Sequence, residues 1–285
     1  MKKLVIPVLT GVGLCLGLMA AHAQEYKEHI TKQFNMQKGA VAICDLNGSI
    51  KVEGYAGDKV IIDIDETITA DDQQTINDAK KEFKLGFDQQ SDSLMAYTAE
   101  PYDTRPHRNR YYDNDNYHHI DYEVKLEYTV KVPFNVNLYV STVNHGHITV
   151  KDVYGQLKVN NVNGSIEIVN AKGATSAHTV NGPVTVNYLS VPPEASSYYT
   201  VNGKMNITYP ASLSADLQFK SMNGQFYTDF DDAQVMPSKV VKTASDNGGT
   251  TVYKLNKASD VRIGAGGKLF KFETLNGNIY IKKQK

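Results

Sequence analysis

The chain contains no tryptophan, only two cysteines in 285 residues, and almost no excess of charge of either sign. Each absence excludes something. Cys15 lies in the N-terminal apolar stretch, so Cys44 stands alone in the rest of the chain and no intramolecular disulfide can staple the fold. Its neighbours Val41, Ala42 and Ile43 mark it as a small buried apolar residue and not a reactive thiol. Near-neutral charge provides no electrostatic footprint for nucleic acid or an anionic membrane. No segment after residue 23 approaches the ~20 apolar residues of a membrane span. The lack of tryptophan removes the strongest sugar-stacking side chain, although 18 tyrosines are present to substitute. No nucleophile elbow, phosphate-binding glycine loop or HExxH motif is found either.

What is present begins with a leader. Lys2 and Lys3, the apolar stretch from Leu4 to Ala20 and the small-x-small triplet Ala21-His22-Ala23 have the three parts of a cleaved signal peptide. Pro7 and the glycines within that stretch argue against an anchor. Leu14, standing where lipidation needs a small residue, argues against Cys15 as a lipid site. Loss of residues 1–23 takes the net charge from −1 to −3. The expected destination is the periplasm, the outer surface or the medium. The C-terminal Lys282-Lys-Gln-Lys carries no sorting motif that would choose among them.

The mature chain is dominated by a repeat. Asn-Gly recurs at Asn47-Gly48, Asn163-Gly164, Asn181-Gly182, Asn202-Gly203, Asn223-Gly224 and Asn276-Gly277, with a near copy at Asn144-His145-Gly146. Between these lies a weaker half-unit, so that Gly146, Gly155, Gly164, Gly173 and Gly182 fall at intervals of nine. Two and four residues after the glycines come the apolar pairs Ile148/Val150, Leu157/Val159, Ile166/Ile168 and Val184/Val186, with Thr175/Ala177 in the Gly173 unit. That alternation specifies a strand with one buried face. Seven residues on come Val153, Val162, Ala171, Val180 and Leu189, whereas the sixth positions hold Asp152, Asn161, Asn170, Thr179 and Tyr188.

Asn-Gly between alternating apolar runs is also a hairpin signal, which would give an antiparallel meander. A meander requires apolar residues at the sixth position. A coil with a corner explains the seventh. The expected fold is therefore all-β, a β-solenoid resembling a parallel β-helix. In it the corner asparagines hydrogen-bond up and down the pile and the glycines take left-handed conformations. All thirteen turn residues, from Asn47 and Gly48 to Asn276 and Gly277, are expected to be structural. Ile148, Leu157, Ile166, Val184, Val153 and Val162 should share one core. Calcium-binding β-rolls need aspartate in the turn, and here alternate positions after it are Ile, Leu or Val.

Residues 24–132 form a different, β-rich part. One Asn-Gly unit leads into a strand from Lys59, then a helix is expected near 71–84, capped by Asp71-Asp72 and ended at Gly86. Strands near 93–99 and 121–132 flank an exposed polar loop at 100–120. The repeat region proper spans 133–285, with an excursion at 229–268 around Pro237 before a last unit at 269–281.

The loop concentrates Tyr102, Arg105, His107, Arg110, Tyr111, Tyr112, Tyr117 and His118, side chains that recognise partners well, and is the candidate binding segment. Deleting 101–119 is expected to leave the melting temperature nearly unchanged. His107, His118 and His119 with Asp113, Asp115 and Asp121 match no established zinc spacing, so a solvated loop is the reading. The acidic cluster Asp229, Asp231 and Asp232 has no second acid at a matching repeat position to form a general acid and base pair.

The segment from Tyr128 to Ile168, the strand end Val132-Pro133, the units Thr179-Val180-Asn181-Gly182 and Thr200-Val201-Asn202-Gly203, and Leu275-Asn276-Gly277-Asn278-Ile279 together resemble the putative bacterial adhesin family. These are exported repeat domains of unknown function, and the likeness spans about residues 40–64 and 124–282. The resemblance implies a solenoid, no cofactor and no catalytic residues. The expected role is non-enzymatic, in the envelope or at the surface, binding a surface glycan or protein. Rival expectations are a self-assembling scaffold and a polysaccharide-active β-helix enzyme.

Overall fold

The computed structural model describes residues 23–106, 120–237 and 258–285, and the backbone alone of 240–244 and 251–255. Residues 1–22, which hold most of the expected leader, and 107–119 lie outside that range. In chain order the N-terminal part forms β1 (Gln24–Asn35), β2 (Ala40–Cys44), β3 (Ile50–Tyr55), β4 (Lys59–Ala70), helix α1 (Gln73–Glu82), β5 (Lys84–Gln89), β6 (Ser93–Glu100) and β7 (Tyr122–Pro133). The repeats give β8 (Asn137–Ser141), β9 (Ile148–Lys151), β10 (Leu157–Asn160), β11 (Ile166–Ala171), β12 (Thr175–His178), β13 (Val184–Tyr188), β14 (Ser197–Asn202), β15 (Met205–Tyr209), β16 (Ala215–Asn223) and β17 (Phe226–Thr228). Then follow β18 (Gln234–Val235), β19 (Val240–Ala244), β20 (Thr251–Leu255), β21 (Ser259–Ile263), β22 (Leu269–Asn276) and β23 (Ile279–Lys283).

The fold is all-β apart from the one helix. Two large mixed sheets, neither closed into a barrel, take every strand except the β19–β20 hairpin. The front sheet runs β1-β4-β7-β3-β9-β11-β13-β15-β23-β17, the back sheet β18-β21-β16-β22-β14-β12-β10-β8-β2-β6-β5. The strands before and after each Asn-Gly lie in different sheets, so the turn is a corner and does not close a hairpin. Each back strand and the front strand after it make one layer, paired in parallel with the layers above and below. Ile166 lies between Ile148 and Val184, and Leu157 between Leu138 and Thr175.

Partners in the regular region stand 18 residues apart, so a full turn uses two nine-residue units, and the two end differently. Just after β9 and near the end of β11, Asp152 and Asn170 take left-handed φ values of 57° and 61°. That turn aims the following side chains, Val153 and Ala171, into the core. Asn170 Nδ2 donates to Asp152 Oδ1 at 2.8 Å. After β10 and β12, the sixth-position residues Asn161 and Thr179 are themselves buried, and Val162 and Val180 are only half-buried. The expected common core therefore holds for Ile148, Leu157, Ile166, Val184 and Val153 but not for Val162. In the Gly182 unit Tyr188 is likewise buried, while Leu189 is 43% exposed.

The glycines also differ from expectation. Gly48 and Gly277 have left-handed φ, but Gly146, Gly164, Gly182, Gly203 and Gly224 do not. Proximity requires them instead. A Cβ on Gly164 would stand 1.9 Å from the Gly146 carbonyl oxygen, and one on Gly182 would stand 2.1 Å from that of Gly164. Adjacent corners thus approach backbone to backbone, closer than any side chain permits.

The stacking order departs from the chain order at both ends. The pair β2–β3 lies between β6–β7 and β8–β9, and the last pair, β22–β23, lies between β14–β15 and β16–β17. The unit expected to finish the pile is thus its penultimate layer. Asp229 and Asp231 hold β23 there: Asp229 Oδ1 accepts from the Lys283 backbone N–H, and Asp231 pairs with Lys283 Nζ at 2.9 Å. Antiparallel β4, β1 and β5 cover one end, and β21 and β18 cover the back sheet at the other.

Helix α1 is capped by Asp72, whose Oδ1 accepts from the Thr75 N–H at 2.9 Å, and ends at Phe83, not at Gly86, which lies in β5. Ile76 and Ala79 bury against Ile68 and Ala70. The core is aliphatic through the middle layers and aromatic towards β22. There Tyr188 stacks on Tyr209 and Tyr198 on Phe272, with ring centroids 5.0 Å apart in each pair. The buried hydroxyls of Tyr188, Tyr198 and Tyr209 satisfy one another at 2.6 and 3.1 Å.

If close approach is what requires these glycines, alanine is already too large. Gly164→Ala and Gly182→Ala should each cost about 3 kcal/mol in urea unfolding, with valine adding little. A left-handed requirement alone would make the alanine loss about 1 kcal/mol, the ordinary cost of that conformation.

Candidate functional site

Three regions come into question: the corner ladder, the outer face of the back sheet, and the root of the 100–120 loop. The ladder satisfies itself. Asn223 donates its amide to Asn276, Asn276 to Asn202, Asn202 to Asn181, Asn181 to Asn163 and Asn163 to Asn144, at 2.7–3.1 Å, all in the same sense. The residue three before each glycine completes the motif. Thr179 donates to the Gly164 carbonyl and Thr200 to that of Gly182, both at 2.9 Å, and Asn161 to that of Gly146 at 3.0 Å. Each T-V-N-G unit thus caps the carbonyl exposed by the glycine of the layer before. The ladder's amides and carbonyls are thus engaged in structural bonds from layer to layer.

The back sheet presents a different surface. Parallel register lines up Ala42, Tyr139, Lys158, Ser176 and Ser197 across successive layers, with Asn160, His178 and Tyr199 in the next row. Lys158 Nζ sits 5.3 Å from the centre of the Tyr139 ring, and His178 meets Tyr199 edge-on at 6.0 Å. Burial, reinforced by the Lys158 charge, lowers the His178 pKa and keeps the ring neutral at pH 7. The row of Ala42, Tyr139, Lys158, Ser176 and Ser197 floors an open groove of about 470 Å³, one side of which is the segment around Glu194 and Ala195. That wall exists because the glycine spacing lengthens from 18 to 21 between Gly182 and Gly203, and the extra residues fall at the corner between β13 and β14. The change in spacing is the sequence signal that could have found it.

The loop spans the corner of the outermost layer, between β6 and β7, where other layers carry Asn-Gly. Its first residues are tied down. Thr104 Oγ1 donates to the Cys44 carbonyl at 2.7 Å and accepts from the Thr98 N–H at 2.9 Å. Arg105 forks onto Asp103, reaches Asp88 at 3.2 Å and lies 4.4 Å from the Tyr97 ring centre. It is a clamp on the loop root. His107, Arg110, Tyr111, Tyr112, Tyr117 and His118 fall outside the described residues. Cys44, beneath the root, is fully buried, and burial pushes its thiol up to about 11.

Tyr102, 45% exposed, stands at a cavity of about 390 Å³ with Asp45, Thr98, Tyr122 and Glu123 also in its wall. Asp45 is 4% exposed and its Oδ2 has no hydrogen-bond partner. Burial pushes its carboxyl up to about 8, only partly offset by the neighbouring backbone N–H groups of Leu46 and Asn47. The Tyr122 hydroxyl is also buried and unpartnered. Burial raises its pKa, and interaction with the nearby Glu82 carboxylate raises it further.

No family model and no curated protein matches the chain. Several solved structures are similar over most of its length. A putative cell adhesion protein from Clostridium sporogenes aligns at 9% identity over 91% of this chain and 100% of its own, with a TM-score of 0.40. Putative adhesins from Bacteroides fragilis and Parabacteroides merdae each align at 9% identity over 90% of this chain and 97% of their own, with TM-scores of 0.29 and 0.25. At that distance the likeness bears on neither activity nor ligand. Among the described residues no helix is long and apolar enough to cross a membrane.

The orphan carboxyl has a thermodynamic consequence. Its folded pKa, about 8, lies above the ordinary 3.8, so the folded state holds a proton that the unfolded state has released between those values. Stability contributed at low pH is therefore lost as pH rises from about 4 to 8. The His178 shift acts in the opposite sense, so the Asp45 contribution is read as a difference between proteins. Asp45→Asn should lose less stability than the parent on going from pH 5 to pH 8, as measured by urea midpoints. Parallel pH curves for the two would contradict the burial of an ionisable Asp45.

Proposed function

We propose that the protein is an exported, non-enzymatic β-solenoid that binds a glycan of the cell envelope or cell surface along the outer face of its back sheet. The groove floored by Tyr139, Lys158, Ser176 and Ser197 carries this reading. A rigid pile sets these outward rows at the ~4.8 Å spacing of paired strands, a regular series of hydroxyl, amide and cationic groups suited to an extended polymer. Tyr139 supplies a ring against which a sugar face can lie, as tyrosine can where tryptophan is missing. The mixture of small hydroxyl side chains and one aromatic favours a sugar over an apolar protein partner, whose interface would centre on buried aromatic anchors. The leader pattern supports export. A second reading, self-assembly, draws on the end of the pile at β16 and β17, where Met222 of β16 is 74% and Tyr227 of β17 43% exposed beside the last asparagine of the ladder.

The test is a glycan array with the exported protein, alongside Tyr139→Ala/Lys158→Glu and a deletion of 107–119. Binding that falls about ten-fold or more in the double variant and survives the deletion is the expected outcome. Loss on deletion alone would move the site to the loop. No glycan binding, with association in solution that Met222→Lys abolishes, would favour the scaffold.

A further inference from the structure

We propose that the C-terminal pair β22–β23 is an exchangeable element, and that the slot it fills between β14–β15 and β16–β17 also accepts the same pair from a second copy of this chain. The partner is another molecule of the protein, joined through its last layer and independently of the glycan groove.

The register of the slot points to exchange. On the back sheet Phe272 pairs with Tyr198 on one side and Phe219 on the other, and Asn276 stands in the same way between Asn202 and Asn223. On the front sheet Ile279 lies between Met205 and Phe226. The strands flanking the inserted pair are therefore matched at a separation of 21 residues, the interval from Gly182 to Gly203 and from Gly203 to Gly224. They are built as consecutive layers. With β22–β23 withdrawn they are in register to close on each other, Phe219 replacing Phe272 against Tyr198 and Asn223 replacing Asn276 against Asn202. Nothing in that register ties the slot to the C-terminus of its own chain.

The inserted pair makes the same contacts from either chain. Phe272 stacks on Tyr198 and Phe219 with ring centroids 5.0 and 5.1 Å apart, and Phe270 on Tyr209 at 5.6 Å. Asn276 donates to Asn202 and accepts from Asn223. Glu273 pairs with Lys220, and Lys283 with Asp229 and Asp231. All these partners lie in the two flanking layers, so exchange keeps each contact. The self-inserted and exchanged forms then differ only in the linker and in the concentration of chains, which is the condition under which swapping an identical element costs little.

The linker has the make-up of a hinge. β21 lies on one side of β16 and β22 on the other, so residues 264–268 carry the chain across the start of β16. Three of these residues are glycines at positive φ, 60° at Gly264, 77° at Gly266 and 144° at Gly267. The Gly266 carbonyl accepts from Ser214 Oγ at 2.8 Å, a single side-chain bond holding the middle of the crossing. Glycine's conformational range lets such a crossing open into an extended connection to a neighbouring molecule.

Disulfide trapping between differently substituted full-length chains tests the exchange. Thr208 of β15 and Lys282 of β23 are register partners at outward positions, at the separation of neighbouring parallel strands that a disulfide can bridge. In a Cys44→Ala background, chains carrying Thr208→Cys are mixed with chains carrying Lys282→Cys. The mixture is held at high concentration in urea just below the unfolding midpoint, diluted and oxidised. A heterodimer linked through positions 208 and 282 should form, identified by peptide mass mapping. Glu167→Cys and Thr185→Cys, partners in the interior layers of β11 and β13, should give none under the same treatment. Deletion of Gly266 and Gly267 tightens the crossing and should raise the heterodimer yield. The cysteine pair on the intact linker carries the test if that deletion fails to fold. Met222→Lys, outside the slot, should leave the yield unchanged. The proposal fails if the 208–282 heterodimer is no more abundant than that of the interior pair, or if Met222→Lys abolishes it, which would mark contact between pile ends instead. No glycan enters any of these measurements, so exchange and the glycan groove stand or fall separately.

Discussion

The contact on which the structure depends is the meeting of two glycine corners in adjacent layers. At Gly164 a carbonyl oxygen from the layer below occupies the place where a Cβ would stand, and the same geometry recurs at Gly146, Gly182, Gly203 and Gly224. Layers in a parallel sheet must stack at the ~4.8 Å strand spacing. A corner that bulged outwards by one methyl group would spoil the spacing of both sheets at once. Once the corners are that close, their carbonyls face the next layer. The threonine or asparagine three positions before the next glycine is placed to bond them.

The rest of the motif follows. Asparagine beside the glycine has both donor and acceptor in its side chain, so each can give to one neighbour and take from the other, and the ladder continues from layer to layer. Alignment of these amides in one sense lets each bond polarise the next. At the opposite corners there is no such ladder. There the chain turns at Asp152 and Asn170, residues whose short polar side chains tolerate left-handed backbone and bond each other across the layers. One sequence period therefore contains two physically different turns, and which side chain enters the core depends on which turn precedes it.

The candidate sites arise where this regularity is interrupted. Three extra residues between β13 and β14 raise a wall beside the back sheet, and a long loop in place of an Asn-Gly corner opens the cavity at Asp45. In both places the repeats supply rigid support and the interruption supplies space. The acidic cluster at Asp229 and Asp231 illustrates the opposite case: charges that could suggest chemistry are bonded to Lys283 and hold the inserted last strand in its layer.

Sequence alone determined the all-β character, the strands of the repeat and the bonding role of the corner asparagines, because these depend on local periodicity and on groups that recur every 18 or 21 residues. It also located β6, β7 and the helix at Asp72 to within a few residues, since caps and alternation are short-range signals. Only the tertiary structure decided why the glycines are glycines, since a φ preference and a steric limit leave the same letter at the same position. It alone decided that Val162 stays near the surface while Val153 is buried, and that β2–β3 and β22–β23 are slotted between layers remote in the chain. It alone left Asp45 Oδ2 without a hydrogen-bond partner. These outcomes are set by which layer lies against which, and a parallel layer bonds equally well to any neighbour of matching register, whatever its place in the chain.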